Sequence, residues 1–199
     1  MIYEVLQIVT DEVNNYLFSQ GLTRSVKMEN IAFMDGESDA AQEMQDSVVL
    51  TLINLSEEPT LKNFPNTRME ASKVMYQHNK INLNLYLLFS SNRNTYAKSL
   101  KDISKIIEFF QGKHLFNQSN SNYDRNNIAM SAISEFRFTM ELYTPTFEEL
   151  NYIWGTLGGK QLLSALYKLS MIQIDRSQVS GAVSVMADSG LNPTQFEQP

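Results

Sequence analysis

The residues able to do chemistry are few and far apart. The chain holds two histidines, His78 and His114, and no cysteine. Without a thiol there is no sulfur nucleophile, no thiolate ligand and no disulfide framework. Neither histidine has a metal-ligand or triad-like neighbour in sequence, so each reads as structural. Glu57-Glu58 and Glu148-Glu149 are adjacent carboxylates, but neighbours in sequence do not face each other on a helix or strand. The stretch Gly155-Thr156-Leu157-Gly158-Gly159-Lys160-Gln161 has the glycines and the lysine of a phosphate loop at the wrong spacing. It lacks Ser or Thr after the lysine and follows a helix instead of leading into one, so it reads as a helix end and a loop. Asp35, Glu37, Asp39, Glu43 and Asp46 are interrupted by no basic residue, yet their spacing does not fit an EF-hand loop. No dinucleotide fingerprint, nucleophile elbow or zinc spacing is present. The expected catalytic, cofactor and metal sets are therefore empty.

The elements that would hold any site in place are those of one folded domain. A chain of 199 residues that is 43% hydrophobic and 19% charged is long and apolar enough to bury a core. Its net charge of −6 gives no reason to expect nucleic acid or an anionic membrane as partner. The N-terminus lacks the basic and apolar regions of a signal peptide, and apolar runs such as Leu85–Phe89 are too short to span a bilayer. Together with the missing cysteine, this fits cytoplasmic synthesis.

Ile2, Val5, Leu6, Val9, Val13, Tyr16 and Leu17 recur at helical spacing over 2–18, with Gly21 placed to cap the end. Residues 22–47 read as a solvated loop with a short helix near Ala40–Met44, or as an acidic surface for a basic partner. Val48–Leu55 is apolar on both faces and reads as an interior strand, ended by Pro59. Arg68–Gln77 reads as a further strand. The strongest local signal is 81–116. Ile81, Leu83, Leu85, Leu87 and Phe89 share one strand face, opposite Asn82, Asn84, Tyr86 and Leu88. Asn92 or Asn94 is placed to cap a helix whose inward stripe is Tyr96, Leu100, Ile103, Ile107 and Phe110, widened by Ile106. Gly112 is expected to close that helix in a left-handed conformation. A polar, Asn-rich loop at 117–127 precedes the Ser134–Tyr143 strand, with Phe136, Phe138, Met140 and Leu142 inward. Thr146 and Glu149 have the spacing of a capping box. The helix that follows buries Phe147, Leu150, Ile153, Trp154 and Leu157, and Gly158-Gly159 stops it. Ala165–Ile174 is the last strong strand, with Tyr167 and Leu169 on one face, and from Arg176 the composition is that of a loosely held tail. The sum is a single α/β (α+β) domain over 1–175, a mixed or antiparallel sheet flanked by amphipathic helices, with a tail over 176–199.

The order of three segments, VVLTLINLSEEPTLKN, then INLNLYLLFSSNRNTYAKSLKDISKIIEFFQGKHLF, then FRFTMELYTPTFEELNYIWGTLGGKQLLSALYKLSMIQID, resembles the tail-terminator, or cap, family of phage-tail-like extracellular contractile injection systems. The residues that carry it are Glu57, Glu58, Pro59, Leu61 and Asn63 in EEPTLKN, Trp154, Gly158, Gly159 and Lys160 in EELNYIWGTLGGK, and Tyr167 in LYK. No short motif in it is catalytic. The resemblance implies a small α/β domain that forms a ring, typically a homohexamer, on the distal end of the tail. It implies that the ring ends polymerisation of the inner tube, contacts the sheath and has no enzyme activity. It further implies assembly in the cytoplasm into a particle that is released. The acidic segment 35–46 and the loop 117–127 depart from the family pattern.

A ring subunit presents two different, complementary patches to its neighbours. The exposed face of Ser134–Tyr143, the EEPTLKN segment and the tail are the candidate contacts. Two other roles stay open from the residues: an adaptor between the tube end and a separate cap, and a ligand-binding or hydrolytic domain gathering His78 or His114 with carboxylates in a pocket.

Overall fold

The structure is a computed structural model that describes residues 2–58, 67–70, 73–77, 81–122, 136–174 and 179–184. Helix α1 (Ile2–Ser19) is followed by β1 (Val26–Met28), a 3₁₀ turn at Ile31–Phe33 and α2 (Asp39–Glu43). Then come β2 (Ser47–Glu57), β3 (Thr67–Glu70), β4 (Lys73–Gln77), β5 (Ile81–Asn92) and α3 (Tyr96–Gly112). The chain continues through β6 (Leu115–Asn117), β7 (Arg137–Tyr143), α4 (Phe147–Thr156), β8 (Ser164–Ile174) and β9 (Val179–Ser184). The expected mixed α/β architecture is what forms.

Among the described residues, the main sheet has the order β1-β2-β5-β8-β7-β6. It is mixed, since β1 runs parallel to β2 while the other pairs are antiparallel. The strands with the longest apolar runs, β2, β5 and β8, lie at its centre, as strands covered on both faces must. Both edge strands are three residues long, and β1 pairs with only Val48–Leu50 of β2.

Helices α1 and α3 cover one face. Val5, Val9 and Val13 of α1 and Ile103, Ile106 and Phe110 of α3 share a core with Leu50, Leu87, Phe89, Phe138 and Tyr167. Phe110 sits 4.6 Å from the Tyr167 ring and 5.6 Å from Phe89, while Phe116 stacks on Phe138 at 5.0 Å. The other face carries a smaller core of Ile31, Met44, Val49, Leu88, Trp154 and Leu166. Gly21, at φ +75, ends α1 in a Schellman motif: Leu22 N donates to Leu17 O and Gly21 N to Phe18 O.

A second sheet has the order β3-β4-β9. Each of its strands neighbours β2, β5 or β8 in the chain, since β3 follows β2, β4 precedes β5 and β9 follows β8, so its order repeats that of the main sheet's centre. Gln77 and Ile81 are four peptide steps apart, a reach of at most about 14 Å. The small sheet therefore hangs from one end of the large one.

Several expectations are corrected. The 22–47 stretch contributes β1 and the 3₁₀ turn, because Ile31 and Met44 are buried against the sheet; the short helix near Ala40–Met44 is present. Arg68–Gln77 is two antiparallel strands, with Glu70 opposite Lys73. Thr95, not Asn92 or Asn94, is the N-cap of α3, without a side-chain hydrogen bond; Asn92 Nδ2 instead donates to Met44 O. Gly112 lies inside α3 and is not left-handed. The buried stripe of α3 is Ser99, Asp102, Ile103, Ile106, Phe109 and Phe110, leaving Tyr96, Leu100 and Ile107 exposed. At the start of β5 the Asn82 and Asn84 face is buried and Ile81 exposed. Leu142 and Phe147, expected inward, are also exposed. Val179–Ser184, within the expected tail, pairs antiparallel with β4.

Candidate interaction surfaces

Three turns at one end of the sheet are held by a single buried cation. Arg93, just past β5, donates from Nε to Asp102 Oδ2 at 2.6 Å, with both side chains almost fully buried. Its Nη1 donates to the Asp46 carbonyl and its Nη2 to Thr23 Oγ1 at 3.1 Å. Asp46 adopts a left-handed φ of 46, which Asp tolerates because its short side chain can bond locally. That side chain accepts from Asn94 N at 3.1 Å and faces Lys98 at 3.7 Å. The Asn94 amide, then Lys98 and Arg93, hold the Asp46 carboxyl below its usual range. One guanidinium thus joins the turns before β1, β2 and α3 to α3 itself. This is the most constrained charged cluster among the described residues, and every group in it is consumed by structure.

The motif residues are dispersed. Glu57 and Glu58 lie at the end of β2. Glu58 Oε2 accepts from Asn84 Nδ2 at 2.8 Å, and Glu58 N donates to Asn82 O, which fastens the motif to β5. Pro59, Leu61 and Asn63 lie outside the described residues, as does His78. Trp154 is buried in the smaller core, with no hydrogen-bond partner for Nε1. Gly158 and Gly159 take φ +106 and +79, and Gly159 N donates to Trp154 O at 2.7 Å, so the pair is the left-handed cap of α4. Lys160 meets Asp35 at 3.2 Å, which ties the acidic segment to the glycine cap. Tyr167 is in the larger core, where burial pushes its hydroxyl up to about 12. Trp154 and Tyr167 lie on opposite faces of the sheet and form no common site.

The capping box on α4 is complete. Thr146 Oγ1 accepts from Glu149 N at 3.2 Å, and Glu149 Oε2 accepts from Thr146 N at 2.8 Å. The Thr146 amide and the Tyr143 hydroxyl hold Glu149 below the ordinary carboxylate value. His114 is exposed, and its carbonyl accepts from Met140 N. Among the described residues, no group of three His, Cys, Asp or Glu is placed to hold a metal ion, and no helix is long and apolar enough to cross a membrane.

Two helices leave large apolar side chains facing outward. On α3, Tyr96 is 68% exposed, Leu100 44% and Ile107 39%, a stripe at spacings of four and seven residues. On α4, Phe147 is 94% exposed and Tyr152 64%. The outward face of β7, offered from sequence as a contact surface, has Arg137 and Glu141 exposed. Its Tyr143, by contrast, packs edge-on against Tyr86.

Sequence reasoning missed Arg93 and the outward stripes. A lone arginine in a turn of Ser and Asn reads as solvated. The signal was available in α3, where Asp102 sits in register with Ser99, Ile106 and Phe109 and must have a partner if that face is inward.

A profile of the family described as the Pvc16 N-terminal domain matches residues 4–187. The fold is similar along 100% of the chain to a cryo-EM structure of the PVC sheath/tube terminator of an extracellular contractile injection system, in the extended state, at 12% identity and a TM-score of 0.60. It is similar over 92% of the chain to the anti-feeding prophage cap, an AFP tube-terminating cap, at 14% identity and a TM-score of 0.52. The chain spans 64% and 60% of the lengths of those two proteins. No curated protein matches it. The family expected from the ordered segments is borne out.

Proposed function

Because the chain belongs to the Pvc16 N-terminal domain family, we propose that it is a structural terminator of a contractile injection system. It forms a ring on the distal end of the particle, ends growth of the inner tube and sheath, and has no enzymatic activity. The observation that carries this reading is the fold shared along the whole chain with a sheath/tube terminator. The physical match is direct. A cap needs a rigid body, and two cores on one mixed sheet supply it. It needs projecting elements to engage the layers beneath, and the β3-β4-β9 sheet at one end of the domain supplies these. Residues 1–175 act as the scaffold. The 176–199 segment, whose Val179–Ser184 pairs with β4, reaches the neighbouring component. The ring is a homohexamer assembled in the cytoplasm, with inner-tube and sheath subunits as its other partners.

Deleting the protein from a producing cell should give tubes and sheaths of unregulated length, seen by electron microscopy of the particles. Particles of normal length and closed ends would overturn the reading.

A further inference from the structure

We infer that asparagine side chains seal both edges of the main sheet against strand addition, each taking the place of a further strand's backbone. The inference is independent of the terminator reading. An edge strand presents N–H and C=O groups on which another chain can pair, and an asparagine amide carries the same donor and acceptor as a peptide unit. At the first edge, Val48 N donates to Ser25 O and Glu29 N to Leu50 O, so alternation along β1 turns Val26 outward. Asn14 of α1 takes both Val26 groups: its Nδ2 donates to Val26 O at 2.9 Å, and its Oδ1 accepts from Val26 N at 2.9 Å. Those are the two bonds that an opposed residue on an antiparallel strand would exchange.

The second edge is closed in the same way. Met140 N donates to His114 O, so β6 turns Leu115 and Asn117 outward. Asn120 Nδ2 donates to Leu115 O at 2.8 Å and its Oδ1 accepts from Asn117 N at 2.8 Å, as a residue on a parallel strand opposite Phe116 would. This seal is itself clamped. Lys113 Nζ donates to Asn120 O at 2.6 Å and pairs at 2.9 Å with the Glu12 carboxylate, which also accepts from Asn122 N. The first part of the polar loop at 117–127 is thus an edge cap. A third asparagine serves β2 where it runs on past β1. The register shifts after Leu52, and Glu58 N donates to Asn82 O, so Asn54, Ser56 and Glu58 face β5 and Leu55 faces outward. Asn54 Oδ1 accepts from Leu55 N at 2.8 Å, beside a bulge that bends the edge. Asparagines bond nearby backbone in many turns; these three share the outward-facing row of the sheet's edges as their target.

The test opens the two seals that lie at the surface. Asn54→Ala and Asn120→Ala are both at exposed positions, so neither substitution disturbs a core. Sedimentation of the full chain at rising concentration should show the double variant growing beyond the native size at about a tenth of the protein concentration that the native chain needs. Hydrogen exchange then locates the contact. The Leu55 and Asn117 amides should exchange faster than in the native chain when the variant is dilute, and become protected again as it associates. Thr146→Ala weakens a helix cap away from both edges and should sediment as the native chain does. Where the double variant does not fold, each single variant should show the same loss and return of protection at its own amide. Growth no greater than that of the native chain, growth matched by Thr146→Ala, or growth that leaves the Leu55 and Asn117 amides unprotected would each overturn the inference.

Discussion

Removing either member of the Arg93–Asp102 pair should be the most damaging single change outside the apolar cores, and the two removals should not be equivalent. Breaking a buried ion pair by deleting one partner costs about 3–5 kcal/mol, because the other charge is left buried and uncompensated. Among the described residues Asp102 has Arg93 as its one hydrogen-bond partner, so Arg93→Met strands a carboxylate on the buried face of α3 that also carries Ile103, Ile106 and Phe109 and belongs at the upper end of that range. Asp102→Ala leaves the guanidinium with the Asp46 carbonyl and Thr23, and belongs near the lower end, about 3 kcal/mol. At roughly 2–4 °C per kcal/mol for a chain of this size, the expected falls in Tm are about 6–12 °C for Asp102→Ala and about 10–20 °C for Arg93→Met. Calorimetry with urea titration measures both. The double variant Arg93→Met/Asp102→Leu should be more stable than Arg93→Met alone, since it buries no lone charge. A double variant as destabilised as the sum of the two singles, or an Asp102→Ala protein within 1 kcal/mol (about 2–4 °C) of the native one, would refute the reasoning.

Three further outcomes follow from the same geometry. Tyr167 ionises near pH 10 when unfolded but is pushed up to about 12 by burial, so the folded state keeps its proton longer. Its share of stability is complete below pH 10 and is lost between 10 and 12 at up to about 1.4 kcal/mol per pH unit. Tyr167→Phe should therefore flatten the alkaline limb of a stability–pH curve, while an unchanged limb would show that Tyr167 is solvated. Gly112→Ala should stabilise by about 0.5–1 kcal/mol, because the glycine is helical with open space around it. Gly159→Ala should cost about 1–2 kcal/mol at φ +79; equal effects at the two sites in denaturant titrations would contradict the assigned conformations. Thr146→Ala should cost about 1 kcal/mol in the same titrations. With Glu149 held low by the Thr146 amide and Tyr143, the native cap keeps its full contribution above pH 4.5 and loses it as the pH falls through the lowered value. A Thr146→Ala protein with native stability would show that the box does not hold the helix end.

Periodicity found the elements and failed on their faces, and both results have the same physical origin. Alternating and 3.6-residue apolar patterns report that a segment has a buried side. They choose that side by counting apolar residues. In α3 the count favours Tyr96, Leu100 and Ile107, yet the buried side contains Asp102, because Arg93 neutralises it from a turn that no local pattern connects to the helix. In β5 the count puts Ile81 inward, yet Asn82 and Asn84 are buried, because Glu58 bonds Asn84 from the end of β2. Asp102 and Asn84 are polar residues whose side-chain partners, Arg93 and Glu58, come from other segments. By contrast, the capping box at Thr146–Glu149 and the glycines at 21, 158 and 159 depend on neighbours within about five residues, and they were legible.

The same asymmetry explains why no site was visible and why the candidate surfaces emerged only with the fold. Several of the chain's charged residues are spent on joining turns, as Arg93, Asp46 and Lys160 are. The apolar residues displaced from the predicted stripes, Tyr96, Leu100, Ile107 and Phe147, are then left on the outside. A monomer gains nothing from a helix that is apolar on two sides. The places where one-sided burial misjudged the chain are therefore the places where its large apolar side chains lie exposed, Tyr96, Leu100, Ile107 and Phe147.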